Sequence, residues 1–142
     1  DEIKGSRWQW DASGLSDGWY RIKLRASDSP SNPDDEDFET EQISNLILID
    51  TTKPELNFTV SPGQAGISGE ARDATSAISK IEYAIDDGDF KPVTSLDEVL
   101  DQKLEKFEFK LKNLDKGTHR INIRACDQAN NCQTRAQEFS VK

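Results

Sequence analysis

The chain has 142 residues, enough for one ordinary domain, or one small domain and part of another, and too few for a large enzyme. Hydrophobic residues make up 34% and charged residues 32%, a polar balance that favours thin layers over a thick core. The net charge of -9, with no Lys/Arg cluster to offset it, argues against nucleic acid and anionic membrane surfaces as partners. No apolar run approaches a membrane span, so direct membrane insertion is not expected, and the opening DEIKGSRWQW lacks the basic and apolar regions of a signal peptide. If the protein is exported, that signal was removed or lay upstream.

In chain order, the first segments with strand character are 7–11, 19–27 and 41–49. Between the last two lies Asp34-Asp35-Glu36-Asp37, a solvated loop rather than a calcium loop, because it lacks the spaced ligands and the glycine of one. Three strands with one apolar face cannot close a sandwich. They are expected to be a piece of a longer multidomain protein, or to be completed by another chain or a neighbouring sheet. The stretch IDTTKPEL, with Pro54, marks a short stiff linker and divides the chain into 1–50 and 51–142.

The second part carries seven strand patterns, at 55–60, 66–72, 79–85, 90–93, 106–111, 119–126 and 134–141. Alternation is clear in IEYAI, FEFKL and HRINIRA, so each sheet buries one face and wets the other. Asp87-Gly88 signals a hairpin turn. In the connection 94–105, Ser95 followed three residues later by Glu98 is a capping-box pattern, which predicts a short helix or helical turn crossing one end of the sandwich.

The two parts are related. RWQWDASGLSDGWYRIKLRASDSPSN aligns without a gap on KFEFKLKNLDKGTHRINIRACDQANN at a constant offset of 99, which sets Phe107 on Trp8, Phe109 on Trp10, Gly117 on Gly18, His119 on Tyr20 and Asp127 on Asp28. A repeat of that length is the size of one β-sandwich domain. The expected fold is therefore all-β, with one complete sandwich preceded by the last strands of a second copy.

These motifs, from W-x-W-D and I-D-T-T-x-P through G-x-A-x-D and I-E-Y-x-I-D-D-G-D-F to H-x-I-x-I-R-A-C-D-Q-A-N-N, resemble the tandem Ig-like or fibronectin type III-like repeats of exported bacterial proteins. They are similar to repeats that follow β-propeller or hydrolase modules there. The resemblance implies a partial Ig-like repeat over 1–50 and a complete one over 51–142. It further implies a non-catalytic spacer or adhesion module of a secreted or cell-surface protein, with neighbouring domains of the same polypeptide as partners. An accessory domain that binds a polysaccharide or protein ligand is the alternative. No catalytic residue carries over.

The individual residues fit structural roles first. Leu15-x-x-Gly18-x-Tyr20 resembles the tyrosine corner of sandwich domains, ahead of the inward positions Ile22, Leu24 and Ala26. His119 stands at the matching place, and with no nucleophile or carboxylate assignable to it, a structural corner role is preferred to a catalytic one. Strand parity turns Cys126 and Cys132 outward on either side of a tight hairpin, and an exported context favours their disulfide over free thiols. A zinc site would need more soft ligands than one histidine provides.

Sandwich topology brings the loop after the second strand, the turn before the last strand and the incoming linker to one end. That places Asp50, Asp73, Asp127, Asn130 and Asn131 together, where calcium could be bound between repeats, while ordinary Asx-turn chemistry accounts for the same residues. No other cofactor is expected. Trp8 and Trp10 have inward parity and are assigned to a core. Trp19 has outward parity, available to stack on a sugar or a protein partner, or to pack on a missing part of its domain.

Overall fold

In a computed structural model, residues 7, 9–29, 31–32, 38–61 and 66–142 are described. Trp8 and the acidic run Asp34-Asp35-Glu36-Asp37 lie outside the described residues. All regular structure among the described residues is antiparallel β, and the chain divides into two compact units, Asp1–Ile49 and Asp50–Lys142. No helix of the structure is long and apolar enough to cross a membrane.

The first unit holds β1 (Gly18–Tyr20), β2 (Lys23–Ser27), β3 (Glu39–Ile43) and β4 (Ile47–Ile49). β1 pairs with β4 and β2 with β3, so each of the two expected strands is broken once. The break is local: the Ser44 hydroxyl accepts the Ile22 amide at 2.9 Å, and the Ser44 amide donates to the Ile22 carbonyl at 2.8 Å. Residues 7–11, expected to be a strand, form none among the described positions. The matching segment in the second unit takes its ladder from a neighbouring strand that has no counterpart among the described residues of the first. Trp10, assigned to a core, is 38% exposed, and Leu24 and Ala26, assigned inward, are exposed too. No described residue of this unit is buried, and its described residues form two separate two-stranded ribbons without a second layer of their own.

The second unit has the layers that the first lacks. One sheet orders β5 (Glu55–Val60), β6 (Gly66–Arg72) and β9 (Leu104–Lys110) as β5-β6-β9. The other orders β7 (Ile78–Ile85), β8 (Lys91–Pro92), β10 (Gly117–Asp127) and β11 (Cys132–Val141) as β11-β10-β7-β8. Their apolar faces meet in a single cluster: Leu56, Ile67, Ala71 and Phe107 from the first sheet against Ile78, Ile81, Ile121, Ile123 and Ala125 from the second, with Val93 beside them. The arrangement is sandwich-like. Arg135 on β11 helps join the two sheets by donating to the Leu56 carbonyl of β5 at 2.9 Å and to the Asn57 side chain.

The outward face of the larger sheet is held by charge. Arg124 donates to Glu82 on the neighbouring strand at 2.6 and 3.0 Å and lies 4.1 Å over the Phe90 ring. The β7–β8 turn runs from Ile85 to Gly88, one residue earlier than the Asp87-Gly88 signal implies, with Asp86 at a φ of 52°.

Of the short helix or helical turn expected after Ser95, only a turn forms, closed by the Glu98 amide donating to the Ser95 carbonyl at 3.1 Å. The Ser95 hydroxyl is engaged by Asp97 at 2.6 Å and the Val99 carbonyl at 2.5 Å, and Glu98 sits at a φ of 66°, outside helical backbone. The connection then closes on buried Glu105, whose carboxylate accepts the amides of Asp101 and Gln102 at 2.9 and 2.8 Å.

Gly69 sets how closely the three-stranded sheet packs. A Cβ there would lie 2.5 Å from the Asn57 carbonyl oxygen, 2.6 Å from the Phe107 ring and 2.7 Å from Phe58 Cβ. Backbone on one side and a core ring on the other cannot both retreat. Gly69→Ala should therefore cost about 3 kcal/mol, read in urea unfolding as a lower midpoint at an unchanged slope.

Candidate functional site

The β10–β11 hairpin builds one end of the second unit. Cys126 and Cys132 face each other directly in the ladder, 4.2 Å apart at Cα and joined by a disulfide. The spacing is that of a non-hydrogen-bonded antiparallel pair, where side chains approach most closely. Cys126 nonetheless differs from the exposure its outward parity implies. It is buried, flanked in the sheet by Cys132 on one side and Lys80 on the other, although it stays outside the core cluster.

Beyond the disulfide the chain turns through Asp127–Asn131. The Asp127 carboxylate accepts the Asn131 amide and the Asn131 side-chain amide, each at 2.9 Å, and Asn130 adopts a φ of 66°, which asparagine tolerates. The Asp–Asn side-chain bond recurs in the first unit, where Asn32 donates to Asp28 at 2.7 Å, 99 positions earlier, although there the Asp28 carboxylate accepts the amide of Phe38, across a longer loop. The Asn131 side-chain amide also donates to the Asp50 carbonyl at 3.0 Å, which fixes residue 50 to this end.

Asp50, Asp73 and Asp127 converge here, each offering an oxygen within 4.8 Å of the others. Asp73 and Asp127 are 3% and 0% exposed; Asp50 is half-buried as a residue, with its carboxylate in the buried group. Local turn chemistry is satisfied as the sequence implies. Asp73 Oδ1 accepts the amides of Thr75 and Ser76 at 2.7 and 2.9 Å, and Asp50 accepts the Thr52 amide at 3.3 Å and the Ser76 hydroxyl at 2.5 Å. Five of the six carboxylate oxygens are engaged in this way, and the sixth, Asp73 Oδ2, is buried without a partner.

None of the ion pairs among the described residues reaches these carboxylates. Carboxylates this close repel one another when ionised. Such a group of hard oxygens can hold a hard cation. Ser76, which bridges Asp50 to the Asp73 loop, escaped the sequence reading because a lone serine in a loop carries no spacing signal.

His119 sits at the opposite end of β10. Nδ1 lies 2.9 Å from Asp86 Oδ2, and Nε2 lies 2.9 Å from the Asp115 carbonyl oxygen. Both partners are acceptors, so only the imidazolium satisfies both contacts. The Asp86 hydrogen bond, followed by the Asp115 carbonyl, raises the His119 pKa; the His119 hydrogen bond, followed by the Arg120 amide, lowers that of Asp86. Nε2 is committed to a backbone carbonyl, and the expectation that no carboxylate partners this ring is corrected by Asp86, which the β7–β8 turn brings to Nδ1. In the first unit the Tyr20 hydroxyl donates to the Ser16 carbonyl at 2.7 Å, the same four-residue reach at the matching position. Gly18 and Gly117, which precede the two corners, both take positive φ, at 158° and 141°. Asp86 was not singled out in sequence; its place in the turn beside Arg120 is set by strand pairing alone.

Trp19 on β1 is 54% exposed. Comparison with known protein families and with curated proteins finds no match for this chain.

Alkylation before and after reduction should show two additional reactive thiols only after reductant. The bridge closes a short loop, so opening it should lower stability by about 2 kcal/mol. The His119–Asp86 pair gives a signed pH dependence. With the folded His119 pKa raised above its ordinary 6.5, its contribution is complete below that value and is lost as pH rises through the folded pKa. Asp86 contributes above its ordinary 3.8, and its part is lost as pH falls through the lowered value. The melting temperature should therefore decline as pH rises beyond 6.5, and His119→Tyr, which installs the residue of the other corner, should flatten that decline.

Proposed function

We propose that the chain is a non-catalytic, extracytoplasmic Ig-like or fibronectin type III-like repeat, serving as a spacer or adhesion module within a larger bacterial surface or secreted protein. One observation carries this reading. The corner bond and the Asp–Asn side-chain bond recur at positions 99 apart, so the first unit has local chemistry in common with the last strands of the second. Connectivity supports it. Counted within the second unit, strands one, two and five form one sheet and strands four, three, six and seven the other. The fourth strand lies beside the third, whereas in constant-type Ig domains it joins the sheet of the first two. The disulfide is compatible with an oxidising compartment.

The adhesion reading leaves room for a ligand-binding accessory role, and the half-exposed indole of Trp19 favours it. A broad glycan screen separates the two. A spacer gives no hits, whereas an accessory domain gives a hit that Trp19→Ala abolishes without changing the melting temperature. Substrate turnover lost on a single substitution would overturn both.

A further inference from the structure

Three acidic side chains from separate stretches of the second unit each bring an oxygen within 4.8 Å of the others, and one of them, Asp73, carries the buried oxygen Oδ2, which no protein group satisfies. A buried polar atom left without a partner is costly, and neighbouring carboxylates offer it no donor. Hydrogen bonds inside the cluster relieve the other five oxygens but add no positive charge. A bound cation would supply that charge.

We propose that Asp50, Asp73 and Asp127 form a calcium-binding site that fastens the segment leading into β5 to the end of the sandwich. The donor chemistry favours this ion. Calcium takes about six to eight oxygens in a flexible geometry that accommodates several carboxylates, whereas magnesium demands a strict octahedron and usually keeps several of its waters. The carboxylate atoms lie within 4.8 Å of one another. Zinc is disfavoured because the donors are all oxygen, and the one histidine is at the far end of β10.

The ligands come from three places: residue 50 before β5, residue 73 at the end of β6, and residue 127 at the end of β10. Apart from the cation, they are linked by the Ser76–Asp50 and Asn131–Asp50 hydrogen bonds. An ion held by all three converts that polar contact into a clamp on residues 50–54. The proposal rests on this geometry and does not depend on the spacer reading.

The 142-residue protein, stripped with chelator, should bind one calcium ion per chain in calorimetry and melt about 5 °C higher or more with millimolar calcium. Magnesium at the same concentration should give a clearly smaller rise. Asp73→Asn keeps the Oδ1 acceptor for Thr75 and Ser76 and replaces the orphan oxygen with a donor. It should fold, retain the disulfide and lose at least tenfold in calcium affinity. Should that variant not fold by circular dichroism, Asp50→Asn, at the half-buried ligand, must show the loss. No heat and no melting shift with calcium would overturn the proposal, as would a shift that persists at full size in the variant, or an equal response to magnesium. None of these outcomes bears on the glycan screen.

Discussion

A sheet with one apolar face is stable only when a second layer covers it, and among the described residues only the second unit brings such a layer of its own. In Asp50–Lys142, Phe107 lies across the bare backbone of Gly69 while Ile121 and Ile123 meet it from the other sheet, so the apolar alternation of each strand finds an opposite surface. Remaining features of the unit follow from that closure. Outward positions are left to ion pairs such as Arg124–Glu82, and the ends of the sheets to turns that must satisfy their own backbone. In the first unit similar strand sequences produce ladders but no core: Leu24, Ile43 and Leu46 are about half exposed.

The ends of the second unit use different chemistry. At the His119 end, a ring held between the Asp86 carboxylate and the Asp115 carbonyl does the work that the Tyr20 hydroxyl does in the first unit, with a second contact, to a carboxylate, that the Tyr20 hydroxyl does not make. At the other end the disulfide pins the hairpin and leaves the Asp127–Asn131 turn facing Asp50 and Asp73. There the turn bonds satisfy geometry and leave the charge uncompensated. That imbalance is what distinguishes this cluster from the many acidic turns that only cap their own amides.

Much of the fold was legible in the order of residues. The strands at 55–60 and 66–72 were read with their observed bounds, since alternation and flanking turn residues mark them directly. The pairing of Cys126 with Cys132 was readable from their places on either side of a tight hairpin, together with the exported context that the resemblance implies, although Cys126 is buried rather than outward. Other readings failed for reasons outside the local sequence. The capping-box pattern at Ser95 lost to a turn because Asp97 and the Val99 carbonyl engaged the hydroxyl first. The strand expected at 7–11 and the burial expected of Trp10 both required a neighbouring layer, which no local pattern can supply.

The convergence of Asp50, Asp73 and Asp127 shows the same division. Sequence determined the strand alternation, the turn chemistry of each aspartate and, through sandwich topology, the end of the fold at which they gather. Only the tertiary structure decided which oxygens the backbone satisfies, that Ser76 bridges two of the loops, and that Asp73 Oδ2 is left buried and alone. The reason is physical. Local patterns set which way a strand presents its side chains, whereas burial and unpaired charge depend on what other strands bring to the same few ångströms.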